Sequence, residues 1–228
     1  MTILIPTRTW VFLFMTSLMA VISGALAAQT MKLPNSCTPI VTVEKESCFV
    51  ETIARCGNTM RGIQYRNGTP FLDATFNKDF AYVGYEVFRS DGTKGSFNFV
   101  RNSGKSFSLA ELLTNGESKA DRRFRTKNNR YFKNGRIVTQ YTLKNSSQTI
   151  GKVRFRKGTV RAAVADGAVS SSTSGELYVS QELGVLFVGA YETVRPDGSK
   201  IVYKSKPRAA HVPGDARFLT AVSRYGCK

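Results

Sequence analysis

Residues 80–101 read FAYVGYEVFRSDGTKGSFNFVR. Two runs rich in β-branched and aromatic residues, 80–89 and 95–101, flank Ser90-Asp91-Gly92-Thr93-Lys94, in which Gly92 supplies the positive φ that a tight turn demands. This stretch predicts a β-hairpin. Outward from it, turn residues recur about every ten positions, and the segments between them are rich in Val, Ile, Phe, Tyr and Thr, as antiparallel strands require. Further strands are expected at 40–43, 48–54, 71–76, 136–143, 151–156, 159–164, 176–180, 185–195, 199–204 and 216–223. One helix is expected: Ser108 can cap Leu109-Ala110-Glu111-Leu112-Leu113, Glu111 can reach back, and Asn115-Gly116 stops it. The fold class is therefore all-β, mainly antiparallel, a sandwich or barrel with one short helical insert.

The hairpin has an echo. Tyr85-Glu86-Val87-Phe88-Arg89-Ser90-Asp91-Gly92-Thr93-Lys94 is answered by Tyr191-Glu192-Thr193-Val194-Arg195-Pro196-Asp197-Gly198-Ser199-Lys200, at an offset of 106 residues. Either the chain is duplicated, with modules at 31–122 and 137–228 joined by a basic segment at 119–136, or two turns have converged on the residues they need. In the second case the matching Tyr, Glu, Arg and Lys are cross-strand pairs.

At the N-terminus Arg8 precedes an uncharged apolar run from 10 to 26, and Ala25-Leu26-Ala27 ends it. That order matches a secretory signal peptide at 1–27, cut after Ala27, with an uncleaved anchor as the alternative. No later stretch is long and apolar enough to span a membrane as a helix, so the expected product is 28–228, one β-rich domain that is periplasmic or secreted. Cys37, Cys48, Cys56 and Cys227 are then expected to form two disulfides, since oxidised pairs persist outside the cytosol. Three connectivities are open, and each ties Cys227 to the N-terminal part. If 49–54 is a strand, Cys48 and Cys56 lie too far apart to bond, which favours Cys37 with Cys56 and Cys48 with Cys227.

The formal net charge is +17. Such an excess favours anionic partners, whether lipid head groups, acidic polysaccharide or nucleic acid. It concentrates in Lys119, Arg122, Arg123, Arg125, Lys127, Arg130, Lys133 and Arg136, interleaved with Phe124, Tyr131 and Phe132. A second row, Lys152, Arg154 and Arg156, alternates with apolar Val153 and Phe155, so its cations should share one strand face. Together these residues are the expected anion-binding surface.

Catalytic signatures are sparse. His211 is the one histidine, in a Pro-flanked segment at 206–215 that reads as a loop. A single-histidine hydrolase, such as a ribonuclease, would use His211 as acid or base, Glu192 as its counterpart, and Arg208 or Arg217 against anionic charge. No metal site, cofactor motif, nucleophile elbow or phosphate loop is present in the sequence. The expected function is non-enzymatic binding of an anionic polymer or surface, with the hydrolase and an envelope component acting through protein contacts, at Tyr85 and Tyr191, as alternatives.

Overall fold

A computed structural model of the chain describes residues 29–127, 132–166 and 169–227, with the side chains of 132, 133 and 169 left aside. The strands are β1 (Cys37–Lys45), β2 (Phe49–Cys56), β3 (Thr59–Arg66), β4 (Thr69–Asn77), β5 (Tyr82–Phe88) and β6 (Lys94–Phe99). After helix α1 (Leu109–Asn115) come β7 (Glu117–Lys127), β8 (Phe132–Ile150), β9 (Val153–Asp166), β10 (Val169–Ser180), β11 (Val185–Val194), β12 (Lys200–Tyr203) and β13 (Pro207–His211). All belong to one antiparallel sheet in the order β12 through β1 followed by β13, curled into a half-barrel.

β13 explains the curl. It follows β12 in sequence after three residues yet pairs with β1 at the opposite edge, Thr42 against His211. Four peptide steps span at most about 14 Å, so the two edges must approach each other there. Side-chain bonds bridge the gap: the Lys45 ammonium donates to the Val188 carbonyl at 2.8 Å, and the Ser205 hydroxyl to Gly189 at 2.7 Å.

Strand alternation sorts side chains into an inner and an outer set. Val41, Val43, Ile53, Phe76, Tyr141, Val160 and Leu177 face inward and are buried together. α1 plugs one end of the curl. The Ser108 hydroxyl accepts from the Glu111 amide at 3.0 Å, Gly116 closes the helix in the left-handed region, and Leu109 and Leu112 enter the core beside Phe107 and Tyr141. On the outer face the coil at 212–227 covers β1 to β3, packing Ala221 on Val50, Ile63 and Tyr65. Two disulfides fix this arrangement: Cys37 lies directly opposite Cys56 in the β1–β2 ladder, and Cys48 bonds Cys227, with Cα separations of 4.1 and 4.7 Å.

β3 falls where no strand is expected, the strands expected at 151–156 and 159–164 are one continuous strand, β9, and three further segments differ from expectation. The basic stretch after α1 is itself a strand, β7, hydrogen-bonded to β6 and β8, because its even-numbered residues Ser118, Ala120, Phe124 and Thr126 turn inward behind the cations. The segment at 207–211 is an edge strand and not a loop; Pro207 is tolerated there as the strand's first residue. The segment at 216–223 has no strand beyond a bridge at Thr220, because Leu219 sits at φ 65° and serial turns consume its hydrogen bonds.

Candidate functional site

A curl this wide cannot be filled by its own side chains, since barrels of about eight strands are already just filled and larger ones enclose cavities. A cavity of about 370 Å³ remains inside it. Its wall is aromatic and aliphatic: Phe76, Tyr82, Tyr85, Phe97, Tyr141 and Tyr191 with Leu72, Ile137, Ala162 and Val164. Exposure along β9 shows which end is open. Inward-facing Gly158 and Val160 are buried, while Ala162 and Val164, further toward the β9–β10 end, are half-buried. The cavity thus opens toward the turns β5–β6 and β11–β12, opposite the α1 plug.

Those two turns are the echoed sequences. In each, the Asp carboxylate accepts from the amide two residues on, Thr93 or Ser199, at 2.9 Å, and Gly92 and Gly198 take φ of 76° and 80°. Glu86 pairs with Lys94 at 3.4 Å and Glu192 with Lys200 at 3.1 Å on the outside. On the inside Tyr85 stacks on Phe97, and Tyr191 on Tyr203, ring centroids 4.8 and 4.4 Å apart. The tyrosines therefore point into the cavity and not onto an exposed face. Burial pushes the Tyr85 phenol up to about 12 and those of Tyr82, Tyr141 and Tyr191 above the usual tyrosine value, so all four stay neutral donors at physiological pH. No described residue hydrogen-bonds their hydroxyls, which line the cavity as unused polar groups.

Among the described wall residues, three are charged: Lys45, Glu51 and Arg122. Lys45 and Glu51 neutralise each other at 2.5 Å, both buried. Arg122 lies over the Phe99 ring and donates to the Tyr82 and Val100 carbonyls at 2.7 and 3.2 Å. Its Nε is buried without a partner.

The expected anion-binding residues are divided by the fold. Lys119, Arg123, Arg125 and Lys127 share the outer face of β7, with Arg136 opposite Arg123 on β8. Arg122 points the other way, into the cavity. Arg130 and the Lys133 side chain lie outside the described residues. Along β8, the partners of Arg154 and Arg156 lie seven to thirteen residues from Gln140 and Arg136, which stand opposite Lys119 and Arg123, so the row at 152–156 is roughly 20–40 Å from the β7 cations and does not join them in one patch. Neighbours also claim some cations: Arg136 bonds Asp121, and Lys152 bonds Asp215 at 2.6 Å.

His211 meets Glu44, not Glu192. Its Nε2 lies 2.8 Å from the Glu44 carboxylate, which also accepts from Arg217 at 2.8 and 3.1 Å and from the Arg224 amide at 2.8 Å. Glu44 is completely buried on the outer face of β1 beneath the C-terminal coil. Burial alone would raise its pKa. The bonds from Arg217, Arg224 and His211 outweigh that and hold it at about 2. This cluster fastens the coil to the sheet.

The cavity was not legible in the sequence, because its wall residues come a few at a time from every strand from β1 to β12. The one signal was the repeated Tyr-Glu pattern at its mouth. No known protein family, curated protein or solved structure matches the chain.

Proposed function

We propose that this chain is a binding protein that holds one small apolar molecule inside its curled sheet. The observation that carries this reading is the 370 Å³ aromatic-lined cavity, which falls in the range of about 300–1,000 Å³ found for small-molecule sites. An apolar wall with a few unpaired hydroxyls takes up a hydrophobic ligand and orients it by one or two hydrogen bonds. The two disulfides support a working place outside the cytosol, where such a ligand needs shelter from water. The test is binding of the neutral apolar fluorophore N-phenylnaphthylamine to the full disulfide-bonded domain. Saturable binding is expected, weakened at least about tenfold by Ala162→Trp, whose indole occupies the mouth and displaces part of the fluorophore from the apolar wall. Circular dichroism of the variant should match the parent. Absence of saturable binding, or indifference to both Ala162→Trp and Thr139→Trp, refutes the reading.

A second reading rests on a separate observation, the row Lys119, Arg123 and Arg125 on the exposed face of β7. Such a row suits an anionic polymer or membrane surface, and its binding should weaken steeply with salt. Reversing Arg123 and Arg125 to Glu should abolish retention on a heparin column; unchanged retention removes this reading.

A further inference from the structure

The cavity's charge is unbalanced. With Lys45 and Glu51 cancelling each other, Arg122 leaves the described wall with one net positive charge inside an apolar chamber. Outward-facing cations on β7 can be hydrated; this one is turned inward by strand alternation, between Ala120 and Phe124. Of the five donors on a guanidinium, two serve backbone carbonyls, and no described carboxylate reaches the group. Burial pushes its pKa below the ordinary guanidinium value, which is the direction expected of a cation losing water without gaining a counter-ion. Arg122 is half-buried with its Nε fully covered, and a charge withdrawn from water without a partner is costly unless a ligand supplies the missing half. Arg122 also lies over the Phe99 ring at 4.6 Å, and its planar fork of donors suits a carboxylate or phosphate.

We infer that the cavity binds a single-chain amphiphile whose anionic head, carboxylate or phosphate, pairs with Arg122 while its tail lies along the aromatic wall. The inference rests on the reading of the cavity as a ligand site and adds the class of ligand. A volume near the lower end of the usual range accommodates one tail rather than two. The tyrosine hydroxyls without a partner among the described residues are neutral donors, and so add attraction for an anion without adding charge.

Competition against N-phenylnaphthylamine on the disulfide-bonded domain tests it, with laurate, dodecyl phosphate and dodecanol as competitors of equal chain length. Laurate or dodecyl phosphate should compete at least about tenfold better than dodecanol, the low end for a hydrogen bond to a charged group, and the better of the two anions identifies the head. In Arg122→Met the anion-to-alcohol ratio should fall close to one, and in Arg122→Lys, which keeps the charge, most of it should return. Equal competition by all three on the parent domain overturns the anionic head alone. Failure of both anions to displace a bound fluorophore, or an unchanged ratio in Arg122→Met, also overturns it. No binding of the fluorophore at all overturns the ligand site itself, so the two failures are distinguishable.

Discussion

Replacing Glu44 by Gln should lower stability at neutral pH by about 3 kcal/mol and make the loss disappear in acid. The magnitude follows from linkage. Glu44 titrates near 4.5 when unfolded and at about 2 when folded, a difference of roughly 2.5 pH units, and each is worth about 1.4 kcal/mol. Because the folded value is the lower one, the stabilisation is fully present above pH 4.5 and is lost as pH falls through the folded value. Gln has the shape of the protonated acid without its charge, so the variant already lacks what the parent loses on acidification. The difference between the two should be about 3 kcal/mol at neutral pH, about half that near pH 3, and negligible below 2. Other carboxylates with lowered values, such as Asp121 beside Arg136, titrate in both proteins and drop out of the comparison. Guanidinium denaturation of the disulfide-bonded domain, followed by circular dichroism at several pH values, measures the gap. A gap that stays constant with pH, or is absent at neutrality, refutes the view that Arg217, Arg224 and His211 stabilise a buried anion.

Cys48→Ser combined with Cys227→Ser opens a link across 179 residues and should cost about 5 kcal/mol in the chain-entropy view, read as a shift of the denaturation midpoint under oxidising conditions. Leu112→Ala hollows the plug where the side chain is wholly buried and should cost about 2–5 kcal/mol, again by chemical denaturation.

Local rules were readable wherever a segment carried its own instruction. Ser108 and Gly116 defined α1, although Glu111 bonds Lys105 and Ser118 and does not reach back to the Ser108 amide, and Asp-Gly turns defined two hairpins, because the geometry at those places depends on adjacent residues alone. Cysteine spacing similarly favoured the pairing that the fold adopts. Strand β7 was harder to read: a run with Lys119, Arg122, Arg123, Arg125 and Lys127 looks like a solvated connector, and only its inward Ser, Ala, Phe and Thr positions betray a strand. β13 was harder still, since Pro207 and His211 argue for a loop until β1 is known to need a partner at its free edge. The chamber was invisible for a different reason. Curvature is a property of the whole sheet, and which aromatic residues meet across it is decided by register between strands far apart in sequence. Arg122 shows this directly, because one step along β7 separates it from cations that face water, and only the pleat decides which side it takes.

The return of β13 to β1 has a bearing on how the molecule is assembled. A chain emerging from its amino end can zip strand to strand through the meander as it appears, but the free edge of β1 stays open until His211 and its neighbours arrive, and Cys48 waits with it for Cys227. Closure therefore waits for β13, the last of the described strands in chain order. A chain stopped before β13 would expose an unpaired ladder and a free thiol at the same place, the combination that invites edge-to-edge pairing with another copy.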